Sequence, residues 1–274
     1  MYKKFLIVAS KQDLAGVNIT TQLSQYRNPI LSSMKNAPDF DFYLEEEDIL
    51  YTENLDKDKI NRYDFIIFAS KHSSLENKKT LSIHAPGNWS EAKLGGQAGK
   101  VNRTSAVFAK QLFENLIKQK KQHTLSKYEV TMEATHHGPL IDKPCLFVEI
   151  GSTPMEWKDR RAGFVVAQAI LETIKNFYFN PYNEIAIAIG GPHYCPGFNR
   201  IQLESNVAIS HIIPKYILPI TEEMIKEAIE KTEEEVDFAI IDWKGLGTSE
   251  ERDQVIKILD KQYLDYKKNS KIKR

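Results

Sequence analysis

The order of apolar and polar residues along the chain predicts strands that alternate with helices. Residues 65–69, Phe-Ile-Ile-Phe-Ala, are continuously apolar, as is typical of a strand that is buried on both faces. Tyr128, Val130 and Met132 alternate with polar residues, which indicates a strand with one buried face. By these patterns we predict strands at 5–9, 40–44, 65–69, 81–84, 128–132, 145–150 and 184–189.

Helical patterns fill the intervals between these strands. We predict helices at 14–26, 105–118, 155–177, 222–231 and 249–267, the first of which ends before Pro29. Thr153 and Glu156 form a capping box at the start of the third helix. We therefore expect an α/β fold with a mainly parallel or mixed central sheet covered by helices on both faces. The expected fold is hydrolase/phosphorylase-like. Residues 1–274 should form a single compact unit, with room for an N-terminal Rossmann-like subdomain over about 1–70.

Composition limits the class of protein. The chain has 274 residues, of which 42% are hydrophobic, so it can bury a substantial core. No apolar stretch approaches the length of a membrane span, and Cys145 and Cys195 offer at most one disulfide bond. We therefore expect a cytoplasmic protein without a membrane partner, and a monomer.

The distribution of charge is more informative than its sum. With 37 basic and 37 acidic residues, the net charge does not indicate a nucleic-acid binder. Lys118, Lys120 and Lys121 are concentrated in one short segment, whereas the acidic run 45–48 lies far from it in sequence. Such a separation could place a basic face against phosphates. The other explanation of the same lysines is a solvated helix end.

The stretch Glu-Ala-Thr-His-His-Gly-Pro, residues 133–139, carries the most informative chemistry. It follows the predicted strand 128–132, and ligands of α/β proteins gather at the carboxyl ends of strands. His and Glu are the side chains most used for proton transfer near neutral pH and for zinc binding. Other apolar runs contain or precede similar groups, namely His72, His84, Glu149, His193 and His211. We therefore expect an enzymatic centre at these strand ends.

Backbone geometry restricts how the two adjacent imidazoles are used. In an extended chain the side chains of His136 and His137 point to opposite faces, so both do not easily bind one metal ion. One of them would face the site, and the other would brace the turn or serve a second ion. Spacing alone therefore does not define a metal site.

Several segments occur together in an unusual order. They are Ser70-Lys71-His72-Ser73, Leu81-Ser82-Ile83-His84-Ala85-Pro86-Gly87-Asn88-Trp89, Glu133-Ala134-Thr135-His136-His137-Gly138-Pro139, Phe147-Val148-Glu149-Ile150-Gly151-Ser152, Gly190-Gly191-Pro192-His193-Tyr194 and His211-Ile212-Ile213-Pro214-Lys215-Tyr216. This set resembles the archaeal and plant type of D-aminoacyl-tRNA deacylase, with Pro192 standing where a third Gly is common. The resemblance implies hydrolysis of the ester that joins a D-amino acid to tRNA, with D-aminoacyl-tRNA as partner and zinc as cofactor.

From these residues we predict a hydrolytic centre built around a metal ion or an activated water. The expected catalytic residues are His84, Glu133, His136, His137 and Glu149. The expected zinc ligands are His136, His137, Glu149 and His193. The expected substrate-binding residues are His72, Asn88, Ser152, His193, Lys118, Lys120 and Lys121. One neutral His or Glu would act as general base, while Asn88, Ser152 and backbone N–H groups would support the developing oxyanion.

Two other classes of protein would use some of the same residues. A zinc amino- or carboxypeptidase-like hydrolase would use the His and Glu set on a small substrate, without a basic surface beside its pocket. A non-enzymatic RNA-binding module would need basic patches, but it would not need buried His and Glu side chains that converge. The placement of these side chains distinguishes the three hypotheses.

Overall fold

A computed structural model describes residues 2–27, 39–53 and 55–273. The strands in these ranges are β1 Phe5–Ser10, β2 Phe40–Glu45, β3 Phe65–Ser73, β4 Thr80–His84, β5 Gly87–Asn88, β6 Lys100–Val101, β7 Glu129–Met132, β8 Cys145–Ser152, β9 Glu184–Ile189, β10 Val207–Ile213, β11 Phe238–Ile241 and β12 Asp265–Lys268. The helices are α1 Leu14–Ser24, α2 Lys57–Ile60, α3 Ala106–Gln122, α4 Pro154–Trp157, α5 Arg160–Asn176, α6 Pro196–Glu204, α7 Glu222–Glu230 and α8 Ser249–Lys261. Pro29, the residue before which we expected α1 to end, lies outside the described residues.

The strands form two main sheets. A six-stranded sheet has the order β2-β1-β3-β8-β4-β7, and a four-stranded sheet has the order β10-β9-β11-β12. The four-stranded sheet is parallel throughout, while the six-stranded sheet is mixed because β4 runs antiparallel to β8. The predicted α/β class, with a parallel or mixed sheet, is therefore confirmed.

The two faces of the six-stranded sheet are covered unequally. Helices α1, α3 and α5 pack on one face, and this hydrophobic core also includes Ala186 and Ile209 of the four-stranded sheet. The other face carries a smaller core, in which Phe68 and Phe147 pack against Ile49 and Ile60 of short helical segments. The thin cover on this second face leaves space for a cavity.

Two of the predicted helices differ most from the structure. The segment predicted as one helix at 155–177 is divided into α4 and α5, because Asp159 adopts an extended conformation and its carboxylate accepts hydrogen bonds from Arg161 N and Ala162 N. The last helix ends at Lys261 rather than at Lys267. Tyr263 there takes a left-handed conformation with φ of 53°, and Leu264 N donates to Leu259 O, which closes the helix. The following residues form β12, which pairs with β11.

None of the described helices is long and apolar enough to cross a membrane.

Candidate active site

Strand register places three of the expected residues on one face of the six-stranded sheet. Glu149 of β8 pairs with Ser70 of β3, so His72, two residues further along β3, shares its face. On the other side of β8, His84 of β4 pairs with Phe147 and therefore lies on the same face. The contacts follow from this register: Glu149 Oε2 is 3.6 Å from His72 Nδ1 and 3.7 Å from His84 Nε2. This is the thinly covered face.

The corner that follows β7 brings the other residues of the centre to the same place. Its backbone is held by both sheets, since Glu133 N donates to Ile83 O of β4 at 3.0 Å and Thr135 N donates to Ile212 O of β10 at 3.1 Å. The Glu133 carboxylate then lies 3.1 Å from His72 Nδ1. Five residues that are scattered in sequence therefore meet: His72, His84, Glu133, His136 and Glu149.

The expectation that His136 and His137 point to opposite faces is wrong. His137 adopts a left-handed conformation with φ of 42°, so the chain turns sharply instead of remaining extended. The two rings consequently lie 4.3 Å apart between centroids, and the His136 ring is 4.1 Å from that of His84. Both imidazoles therefore belong to the same centre.

Three of these imidazoles use Nδ1 for a backbone hydrogen bond and leave Nε2 available to a ligand. His84, His136 and His137 each donate Nδ1–H to a backbone carbonyl, at distances of 3.2, 2.8 and 2.7 Å. In a neutral imidazole, a proton on Nδ1 leaves a lone pair on Nε2. One ligand nitrogen from each of the three residues lies within 4.8 Å of the other two. Imidazoles that are fixed by a hydrogen bond behind the free nitrogen are the usual arrangement of zinc ligands.

A second group surrounds Glu133. His72, Glu133 and His193 also have possible ligand atoms within 4.8 Å of one another. His193 Nε2 donates to Glu133 Oε2 at 3.1 Å, and its Nδ1 lies 3.3 Å from the Tyr216 hydroxyl. His72 Nε2 lies 2.8 Å from the Tyr194 hydroxyl. We expected His193 among the zinc ligands with His136 and His137. It is instead hydrogen-bonded to Glu133, in this second group.

The electrostatic environment separates the protonation states of the imidazoles. Burial lowers the pKa of His137 to about 4, assisted by the neighbouring His84. Burial, together with the charges of His84 and His137, holds the pKa of His136 well below its usual value. Burial also opposes protonation of His72, but the carboxylates of Glu133 and Glu149 outweigh it and raise the pKa of His72 to about 11. His136 and His137 are thus neutral at pH 7, as metal ligands must be.

The two carboxylates remain ionised in spite of their burial. Burial raises the pKa of Glu133, but hydrogen bonds from His193 and His72 more than compensate and leave it well below its usual value. Burial also raises the pKa of Glu149, but the nearby imidazoles of His72 and His84 outweigh it and leave that pKa lowered. The centre therefore combines neutral imidazoles with negative carboxylates.

Two buried atoms without hydrogen-bond partners indicate that these residues fit a metal ion. His84 Nε2 and Glu149 Oε2 are fully buried, face each other at 3.7 Å and have no hydrogen-bond partner. Buried polar atoms without a partner are rare, and each calls for an explanation such as an ion. Together with the Nε2 atoms of His136 and His137, they provide the nitrogen and oxygen ligands that zinc takes.

A cavity of about 240 Å³ opens onto this centre. Five residues of the centre line it: His72, His136, His137, Glu149 and His193. Asp48, Leu50, Lys71 and Leu94 contribute to its walls. Sequence reasoning missed Asp48, since its only signal was an acidic run that is typical of a solvated surface.

Other expected residues do not line the cavity. Asn88 donates its side-chain N–H to Gly95 O at 2.9 Å, and the Ser152 hydroxyl donates to Lys78 O. Lys120 and Lys121 line a separate depression near the end of α3. None of these residues is among those that line the cavity, so their expected roles with the substrate remain predictions.

The sheet and the centre together define the class of protein: an α/β enzyme whose His and Glu side chains converge at strand ends. A family model for D-aminoacyl-tRNA deacylase matches residues 59–267. The chain belongs to this D-aminoacyl-tRNA deacylase family.

Individual relatives agree with the family assignment. The D-aminoacyl-tRNA deacylase of Methanocaldococcus jannaschii is 34% identical over 257 residues, which cover 91% of this chain and 93% of the relative. That of Methanosarcina barkeri is 36% identical over an aligned length of 287, which covers 98% of this chain and 91% of the relative. The crystal structure of AF0625, described as a conserved protein of unknown function, superposes with a TM-score of 0.87 at 29% identity, covering 98% of this chain and 96% of that chain.

Proposed function

We propose that this centre hydrolyses the ester bond of D-aminoacyl-tRNA, releasing the free D-amino acid and tRNA. Family membership supplies the reaction and the substrate class. One structural observation supports placing the reaction here: neutral imidazoles and ionised carboxylates from separate strands meet at the base of one open cavity. A non-enzymatic RNA-binding module would have no use for such buried, converging groups, and the family match does not favour a peptidase. We also propose a cytoplasmic location, where translation uses charged tRNA.

His193 is suited to act as the general base. Its side chain is the most exposed imidazole of the centre, at 31%, and its Nε2–H is held by Glu133 Oε2. A carboxylate that fixes one nitrogen of an imidazole leaves the other to take a proton from water during attack on the ester. Nδ1 of His193 makes only a long contact of 3.3 Å with Tyr216, so a water molecule can compete for it.

His84, His136 and His137 are the residues that would hold zinc, with Glu149 beside them. When bound, zinc would supply Lewis-acid polarisation of the ester carbonyl and a lowered pKa for water. The chain itself contributes the neutral protonation state of His136 and His137 and the fixed orientation of their rings. It also excludes water from the ligand side, because Phe147 packs against the rings of His84 and His137.

The function is tested with matched substrates. One tRNA is charged with the D- or the L-enantiomer of the same amino acid, and release of the amino acid is followed over time. We expect release from the D-aminoacyl-tRNA and little from the L-aminoacyl-tRNA above the uncatalysed rate. Equal rates for both enantiomers, or no release from either, would contradict the proposal.

The lysines at the end of α3 provide a test of tRNA binding. Replacing Lys118, Lys120 and Lys121 together by Gln is expected to weaken binding of every aminoacyl-tRNA alike, while the preference for D over L stays unchanged. Phosphate contacts position a nucleic acid without reading the attached group. Each lost phosphate contact should also reduce the slope of log affinity against log salt by about 0.7–0.9. KM measured over a salt series shows whether the lysines contact tRNA phosphates. An unchanged KM and salt slope would indicate that they only solvate the end of the helix.

A further inference from the structure

The cavity offers one carboxylate that the hydrolytic centre does not use. Among the described residues that line it, the carboxylates are Asp48 and Glu149, and Glu149 is buried against His72 and His84. The Asp48 side chain is 39% exposed, so it is accessible to a ligand. It lies in the helical turn that covers the thinly covered face of the six-stranded sheet.

The orientation of Asp48 is fixed by its own backbone turn. Asp48 Oδ1 accepts a hydrogen bond from Leu50 N at 3.1 Å, as the cap of this turn. Oδ2 is left facing Lys71 Nζ at 3.7 Å, which is longer than the ~2.7–2.9 Å of a charge-assisted hydrogen bond. A half-exposed ion pair of this kind contributes little free energy, so a second cation can share or replace Lys71 at small cost. Oδ2 is therefore available to a cationic group in the cavity.

The turn itself packs closely against the catalytic corner. A Cβ atom added to Gly95 would lie 1.7 Å from Leu50 O, and one added to Gly138 would lie 2.7 Å from the same atom. Gly138 directly follows His137, so the turn that begins at Asp48 packs directly beside the centre. Leu50 and Leu94 add an apolar surface to the same cavity.

We infer that Asp48 binds the α-ammonium group of the D-aminoacyl ester and thereby sets the selection between enantiomers. This inference rests on the proposed function. A cavity of about 240 Å³ is smaller than the ~300–1,000 Å³ of most ligand pockets, and so it suits an aminoacyl group better than a nucleotide. With the ester carbonyl at the His and Glu centre and the ammonium at Asp48, two substituents of the substrate Cα are fixed.

Once the ester carbonyl and the ammonium group are fixed, the direction of the amino-acid side chain differs between the D and L enantiomers. In one enantiomer the amino-acid side chain then lies against Leu50 and Leu94, and in the other the side chain and the hydrogen exchange places. A shift of the turn that accepted the exchanged group would break its close backbone contacts with Gly95 and Gly138. The selection therefore depends on the charge that anchors the ammonium group.

The test replaces Asp48 by Asn, which keeps an oxygen to accept the Leu50 N–H bond but removes the charge. A single tRNA is charged with D-phenylalanine or with D-phenyllactic acid, which carries a hydroxyl in place of the ammonium group. We expect D48N to lower kcat/KM for the D-phenylalanyl ester by about 10-fold to 100-fold, as for loss of a charged hydrogen bond. The phenyllactyl ester should be cleaved at an unchanged rate, and the D-over-L ratio for phenylalanine should fall.

Asp142 provides the matched control. It is 88% exposed, lies 4.0 Å from Lys57, and does not line the cavity, so D142N makes the same change of charge elsewhere and should leave both rates unchanged. An equal loss on both esters in D48N, or no loss on either, would overturn the inference. Failure of the unsubstituted protein to release D-phenylalanine would overturn the proposed function itself, and with it the role of Asp48.

Discussion

Replacing Glu133 by Gln is expected to lower kcat for D-aminoacyl-tRNA by about 10²-fold to 10⁴-fold, the usual contribution of a positioned acid or base. Glu133 does not line the cavity, but its carboxylate holds His193 Nε2 at 3.1 Å and His72 Nδ1 at 3.1 Å. Gln is of the same size but carries no charge, so the imidazoles lose both their orientation and their electrostatic support. Glu133 acts through these imidazoles, and KM should change little. Single-turnover and steady-state kinetics measure the two effects separately.

Two comparisons distinguish positioning from general damage to the fold. Glu129 is exposed at the start of β7, the strand that precedes Glu133, so E129Q should leave kcat unchanged. If Glu133 works through His193, then E133Q combined with His193→Gln should be little slower than either single variant, because residues that act as a unit are not additive. Multiplication of the two losses, or a large rise in KM with normal kcat, would contradict this role for Glu133.

Much of the centre was predictable because its residues follow apolar strand patterns. The runs that contain His84 and Glu149 are strands at the predicted positions, and the pairing of β4 with β8 sets both side chains on one face of the sheet. The segment 184–189 is a strand with the predicted boundaries. Strands were predictable because the apolar residues of a buried strand face form a local pattern in the sequence.

The parts that could not be predicted depend on single backbone torsions and on distant contacts. His137 carries no Gly or Asn signal, yet its left-handed conformation alone brings its ring beside that of His136. Tyr263 also adopts a left-handed conformation, and α8 ends just before it, so that the following residues form β12. Asp48 joins the cavity only because its turn packs on Gly95 and Gly138, two residues far from it in sequence. No local pattern of apolar and polar residues encodes such contacts.

Metal removal is expected to have the other large effect. Dialysis against a chelator should abolish release of the D-amino acid, and added zinc should restore it. The physical reason is the set of Nε2 lone pairs on His84, His136 and His137, each fixed by its Nδ1–H bond, with the unpartnered Glu149 Oε2 beside them. Elemental analysis of the same samples follows zinc content independently of activity.

Substitution of a single ligand makes this prediction specific to the three imidazoles. His137→Ala should weaken zinc affinity by at least the roughly 10-fold to 100-fold that loss of a partner behind a ligand causes. His123 is the control, since it is exposed near the end of α3 and His123→Ala should keep both zinc content and turnover. Full activity in protein that elemental analysis shows to be free of metal would contradict the zinc proposal. Hydrolysis would then depend on His193, oriented by Glu133, acting on water without a Lewis acid, because that dyad requires no ion for its geometry.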